Sequence, residues 1–156
     1  MSDNRTDFDV IIIGGGPSGA TAAHEIAIAG HRVLLLERAF RIKPCGGAIP
    51  PCLLGEFDIP RSLLKAEIQS ARMISPKEQK VDMPIDGTFV GMVDRDEFDP
   101  WLRQRAQHAG AELEIAAFKK LEYLDSNTIA VTYITKDADT ETKTATARCV
   151  LGADGA

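Results

Sequence analysis

The chain has 156 residues, 44% hydrophobic and 26% charged, which is the balance of one ordinary domain with a real core. Eighteen basic residues against 23 acidic give a net charge of -5, leaving no footprint for nucleic acid and no polybasic patch for anionic lipid. The opening MSDNRTDFD does not resemble a secretory signal, and the three cysteines (Cys45, Cys52, Cys149) form no CxxC pair, so a reducing cytoplasmic setting fits better than a disulfide framework or zinc site.

In chain order, Phe8–Ile13 reads as a short buried strand ending at a glycine cluster. Its longest apolar run, Val10–Ile13, is far too short to cross a bilayer. Pro17 to Ala29 is a helix of small residues, stopped by Gly30, with His31 suited to a C-terminal cap. Arg32–Leu36 is a second buried strand, so the three elements make a right-handed βαβ unit with parallel strands. Residues 39–62 carry four prolines and three glycines and read as a long functional loop. Glu67–Ser75 and Lys80–Ile85 are expected as a hairpin around Pro76–Gln79, followed by a short strand at Phe89–Val93. Asp96 to Ala109 is an amphipathic helix with Phe98, Leu102 and Ala106 on one face; Pro100 leaves its start open. Glu112–Ala117, Lys119–Leu124, Thr128–Thr135 and Thr142–Leu151 read as strands, with an exposed turn at Lys136–Lys143. The expected class is α/β: a Rossmann-like domain with a parallel sheet and a β-meander.

The chemistry gathers at Val10–Gly19, where Gly14, Gly16 and Gly19 spell GxGxxG between a strand and a helix. Gly14 permits the tight turn, Gly16 admits a pyrophosphate to the backbone, and Gly19 lets helix and strand pack closely. Pro17 and Ser18 open the helix whose N-terminus faces that anion. Glu37, 23 residues after Gly14, is placed to accept hydrogen bonds from both ribose hydroxyls and to repel a 2′-phosphate. Arg38 follows it and joins the cofactor-binding set. A turn without a ligand is the competing reading, and this motif does not separate FAD from NAD.

Two later segments resemble the flavoprotein monooxygenase and reductase superfamily: Val93-Asp-Arg-Asp-Glu-Phe-Asp-Pro-Trp-Leu102 and Cys149-Val-Leu-Gly-Ala-Asp-Gly155. The resemblance implies FAD, with Arg95 along the flavin, Asp154 near the ribose and pyrophosphate, and the backbone near Phe118 flanking the adenine. The bland alternatives are a surface arginine paired with Asp94 or Glu97, and a plain turn after a strand. Within that superfamily, Lys43-Pro-Cys-Gly-Gly-Ala-Ile-Pro50, Leu54-Gly-Glu-Phe-Asp-Ile-Pro60, Met73-Ile-Ser-Pro76 and Val90-Gly-Met-Val93 resemble the geranylgeranyl reductases of chlorophyll and bacteriochlorophyll synthesis.

That resemblance implies an enzyme saturating three C=C bonds of a geranylgeranyl chain to give phytyl. The chain would be carried on a diphosphate or on (bacterio)chlorophyll, with NADPH or a reduced ferredoxin-type protein as electron donor. It also implies peripheral contact with a photosynthetic membrane. Residues 1–156 would be the N-terminal part of the FAD-binding domain, truncated before the C-terminal substrate domain, with about 63–93 contributing the first strands of the substrate-domain sheet. An unactivated alkene needs a proton as well as a hydride. Cys45, in the loop the family places over the flavin, is the candidate acid, or else lines the pocket without chemistry. Gly46 and Gly47 would admit the flavin to the backbone. Cys52 reads as a loop residue and Cys149 as a core strand residue; His24, His108 and Trp101 read as surface or packing residues. The alternatives are an FAD-dependent monooxygenase such as an aromatic hydroxylase or a halogenase, and a non-catalytic nucleotide-binding fragment with weak FAD affinity and no turnover.

Overall fold

The computed structural model describes residues 6–39, 45–136 and 141–155. Lys43 and Pro44 of the proline-rich motif, and the centre of the Lys136–Lys143 turn, lie outside those residues. The described chain divides into two compact units, one of residues 6–39 with 99–155 and the other of 45–98.

The first unit starts with β1 (Phe8–Ile13), α1 (Pro17–Ile28) and β2 (Val33–Glu37). The strands pair in parallel from Val10↔Val33 to Ile13↔Leu36. Helix α1 packs on both of them, turning Gly19, Ala20, Ala23 and Ala27 inward, small residues that permit a close approach. Gly30, at φ 88°, ends the helix in the left-handed region. Its N–H donates to Ala27 O at 2.9 Å and the His31 N–H to Ile26 O at 3.3 Å, a Schellman closure. The cap expected at His31 is therefore made by its backbone amide.

Three further strands complete this unit: β8 (Glu112–Tyr123), β9 (Ile129–Thr135) and β10 (Thr142–Gly152). The two strands expected over 112–124 are a single one, with an irregularity between Phe118 and Lys120. The reason is that β8 serves two sheets. Residues 112–115 pair in parallel with β2, and 116–123 pair antiparallel with β9; the irregularity falls just beyond the change, within the antiparallel part, and a bulge bends a strand and increases its twist. Strand β10 does the same in reverse, pairing with β9 over 142–147 and with β1 from 147 onward. A parallel layer, β8-β2-β1-β10, and an antiparallel meander, β8-β9-β10, thus close into one ring of five strands.

Between the layers lie Ile11, Leu34, Leu36, Ala116, Val131, Tyr133, Ala145 and Ala147. Burial, reinforced by the Glu114 carboxylate, holds the Tyr133 phenol protonated well above the ordinary tyrosine range. Cys149 is not in this core. It is exposed, as is Leu151, because past Ala147 the core-facing position of β10 falls to Val150.

The second unit holds β3 (Ala48–Ile49), α2 (Cys52–Glu56), a 3-10 turn (Arg61–Leu63), β4 (Leu64–Ile68), β5 (Ser70–Ile74), β6 (Lys80–Pro84) and β7 (Val90–Val93). The run expected as one strand over 67–75 is two: β4 pairs with β7 in the sheet β3-β7-β4, and only β5 forms the hairpin with β6. Cys52 opens a short helix rather than sitting in a loop. The register Ala71↔Met83 and Met73↔Val81 puts four apolar side chains on one face of the hairpin, while Arg72 pairs with Asp82 on the other. Helix α3 (Arg95–His108) starts in this unit and continues in the first. Asp94 caps it, Oδ1 accepting from the Asp96 N–H at 3.0 Å. Pro100 lies inside the helix, past its first turn.

Candidate dinucleotide site

The parallel strands deliver their carboxyl ends to one edge, where an open α/β sheet binds its ligands. At that edge the Gly14 N–H donates to Leu36 O at 2.8 Å and the Ala153 N–H to Ile13 O at 2.7 Å, tying the ends of β1, β2 and β10 together. Gly14 has φ 107°, and a Cβ there would stand 2.4 Å from Ala153 O and 2.7 Å from Asp154 Cα. Asp154 is therefore brought beside the glycine loop. A Cβ on Gly19 would stand 1.8 Å from Gly14 O, so what Gly19 admits is the loop itself rather than the strand.

Gly16 behaves differently. A Cβ there would meet no atom within 4 Å, so its lack of a side chain serves nothing inside the fold and leaves open space before the helix. Gly16 is the N-cap of α1, no side chain caps the helix, and Pro17 has no N–H to offer. The amides of Ser18 and Gly19, with the positive end of the helix dipole, face that space. An open cradle, uncapped amides and a dipole fit a pyrophosphate.

Glu37 closes β2 with both carboxylate oxygens engaged by backbone: Oε2 accepts from the Gly15 N–H at 2.7 Å and Oε1 from the Ala39 N–H at 2.9 Å. A carboxylate accepts about four hydrogen bonds, so capacity for ribose hydroxyls is left. Arg38, next in the chain, is exposed. Phe118 lies at the irregularity of β8, three residues beyond Ile115, the strand partner of Glu37.

Two residues escaped the sequence reading. Gly15, like Gly14, is constrained, since a Cβ there would stand 2.9 Å from Glu37 Cβ and 3.3 Å from Arg103 Cδ. Arg103 of α3 is buried, and its Nη1 donates to Gly15 O at 3.0 Å. The run of three glycines hinted at the first; nothing in the helical pattern marks one buried arginine.

In the second unit, Cys45 is exposed and its Sγ accepts from the Gly47 N–H at 3.5 Å. Gly47 has φ 67°; its carbonyl accepts from the Val93 N–H at 2.8 Å, and a Cβ would stand 2.0 Å from Val93 O. Gly46, with nothing within 4 Å of its Cβ position, leaves room for a ligand, whereas Gly47 is required by the fold. Arg95 is the first residue of α3 and half-buried. Nearby Glu97 takes both its hydrogen bonds from Lys65 Nζ at 2.7 Å. His24 and Trp101 sit in a separate polar cluster of the first unit. There, His24 Nδ1 lies 3.0 Å from Arg105 Nη2, and the Arg105 guanidinium stands over Trp101 at 5.5 Å from the ring centroid, within cation–π range.

Residues 9–122 match the family described as FAD dependent oxidoreductase. The chain belongs to the FAD-dependent oxidoreductase family. That decides between the two dinucleotides that the glycine motif left open. Among relatives of this flavoprotein chain, the geranylgeranyl diphosphate reductase of Rhodobacter capsulatus is 54% identical over 149 residues, covering 96% of this chain and 38% of the relative. The chloroplastic geranylgeranyl diphosphate reductase of Nicotiana tabacum is 36% identical, over 98% of this chain and 35% of the relative. The crystal structure of a geranylgeranyl bacteriochlorophyll reductase-like protein from Thermoplasma acidophilum superposes with a TM-score of 0.82 at 28% identity, over 95% of this chain and 39% of that one. The flavoprotein chain thus spans less than two fifths of the length of these relatives.

Proposed function

We propose that this flavoprotein chain is the FAD-binding section of a geranylgeranyl reductase, which saturates C=C bonds of a geranylgeranyl chain to the phytyl level. The observation that carries the reading is the 54% identity to the Rhodobacter capsulatus reductase across nearly the whole chain. An aromatic hydroxylase or halogenase has no comparable support among these relatives. In this reading Ser18 and Gly19 hold the pyrophosphate, Glu37 the adenosine ribose and Asp154 the ribose and pyrophosphate region, with Arg38 flanking. The backbone near Phe118 borders the adenine, and Arg95 and Gly46 border the flavin.

FAD, when bound and reduced, supplies the hydride for the alkene. The chain's own part is to hold that cofactor and to supply the proton that an unactivated double bond also needs. Cys45 is the candidate donor from Sγ; Gly47, locked to Val93, fixes the amide that hydrogen-bonds to that sulfur. NADPH or a reduced ferredoxin-type protein is the electron source, and geranylgeranyl diphosphate or geranylgeranylated (bacterio)chlorophyll the substrate. Residues of about 63–93 contribute to the sheet that receives it. Among the described residues no helix is long and apolar enough to cross a membrane. The lipophilic substrate calls instead for a cytoplasmic protein in peripheral contact with a photosynthetic membrane.

The test is turnover by the whole protein loaded with FAD, given geranylgeranyl diphosphate and NADPH or reduced ferredoxin, with the prenyl products separated by chain saturation. Dihydro, tetrahydro and phytyl products are expected. Oxygen-dependent NADPH consumption without saturated product would overturn the reading in favour of a monooxygenase. Cys45→Ser is expected to lower turnover at least about tenfold with FAD content unchanged; unchanged turnover would remove Cys45 from the proton transfer.

A further inference from the structure

Gly15 is held on both sides of its Cα. Its carbonyl accepts from the buried Arg103 guanidinium at 3.0 Å, and its N–H donates to Glu37 Oε2 at 2.7 Å. A side chain at this position would force its neighbours to shift, because a Cβ would stand 2.9 Å from Glu37 Cβ and 3.3 Å from Arg103 Cδ. Arg103, Gly15 and Glu37 are thus stacked in contact, linking α3 to the glycine loop and the end of β2. The two bonds hold Gly15 on either side of its Cα, so the Arg103 bond to the carbonyl restrains the two soft backbone dihedrals that aim the N–H at Glu37. That N–H in turn sets where the Glu37 carboxylate stands. A buried hydrogen bond from a charged donor is stronger than a neutral one, and its loss leaves the Gly15 carbonyl without that donor.

We infer that Arg103 is a positioning residue for adenosine binding, restraining the Gly15 backbone and through it the Glu37 carboxylate. Its reach to the cofactor rests on the proposed ribose role of Glu37. Arg103 itself touches no ligand in this scheme; it determines whether Glu37 is already in place when the ribose arrives, so that affinity does not bear the cost of ordering it.

The experiment measures amide hydrogen exchange by NMR on the 156-residue chain, comparing the parent with Arg103→Met, which keeps an apolar stem, and Arg103→Lys, which keeps a donor. In Arg103→Met the Gly15 amide is expected to exchange about tenfold faster, with Ile11 and Leu35 unchanged and Arg103→Lys between the two. Gly15 exchange equal to the parent overturns the inference. So does equal acceleration at Gly15, Ile11 and Leu35, which would make Arg103 a general stabiliser. Titration with ADP and with 2′,3′-dideoxy-ADP then reads the ribose grip: the preference for ADP should fall in Arg103→Met as it does in Glu37→Gln. If Glu37→Gln leaves that preference intact, or no nucleotide binds, the ribose role of Glu37 is what fails. The Gly15 exchange rates then support or overturn the positioning role by themselves.

Discussion

Four glycines in six residues, 14–19, do four different jobs. Gly14 turns the chain at φ 107°, Gly15 fits between Glu37 and Arg103, Gly19 clears the Gly14 carbonyl, and Gly16 clears nothing within the protein. Substitution should separate them. Gly16 has φ -71° and ψ -176°, which alanine adopts without strain. Gly16→Ala should therefore leave the urea midpoint at or slightly above the parent value, by up to about 1 kcal/mol in stability, while FAD affinity falls at least about tenfold. Gly15→Ala should instead destabilise by about 1–3 kcal/mol through overpacking and weaken FAD binding as well. Denaturant melts and flavin-fluorescence titrations of the two variants check this; equal stability losses would refute a ligand-facing role for Gly16.

Helix α1 points its amino end at the ligand cradle, and its other end is closed by Gly30 and His31 through backbone hydrogen bonds alone. The cost of altering that closure is conformational. A Cβ at Gly30 meets nothing within 4 Å, but φ 88° is a conformation that L side chains rarely adopt. Gly30→Ala should cost about 1–2 kcal/mol and Gly30→Asn less, read as shifts in the urea midpoint at unchanged slope. Strand β8 shows how an element can look like two. The break expected at Phe118 is no gap: one strand passes from a parallel to an antiparallel neighbour between Ile115 and Ala116, and the irregularity between Phe118 and Lys120 falls just beyond that change.

At the scale of the molecule, the entrance to β1 is fastened by two carboxylates. Asp9 binds the Arg32 side chain, Oδ1 to Nη2 at 3.0 Å, and accepts from the Arg32 N–H at 2.9 Å. Asp7 Oδ2 accepts from the Thr146 N–H at 2.8 Å and its hydroxyl at 2.7 Å, tying in β10. The Arg32 hydrogen bonds pull the Asp9 carboxyl from 3.8 down to about 2, and Thr146 lowers that of Asp7. A carboxyl depressed in the folded state stabilises above its unfolded value, and that contribution is lost as pH falls through the folded one. The chain should therefore lose stability between about pH 4 and pH 2. Asp9→Asn should be less stable than the parent at pH 6, with the gap closing by about pH 2; a gap that stays constant with pH would show that Asp9 contributes nothing through its charge.

The βαβ start, the glycine motif and Glu37 were legible because each is a local pattern: a periodicity, a turn that needs glycine, an acid at a strand end. The FAD reading came instead from the resemblance of Val93–Leu102 and Cys149–Gly155 to a flavoprotein superfamily. Tertiary structure decided what depends on partners distant in the chain. It made one strand of 112–123, sent β4 to β7 rather than to the hairpin, and exposed Cys149 where alternation along β10 pointed inward. It also set Arg103 against Gly15, 88 residues away, a contact that no window of sequence contains. Local pattern records the backbone geometry a segment can adopt; which neighbour completes its hydrogen bonds and fills its core is settled only when the chain closes on itself.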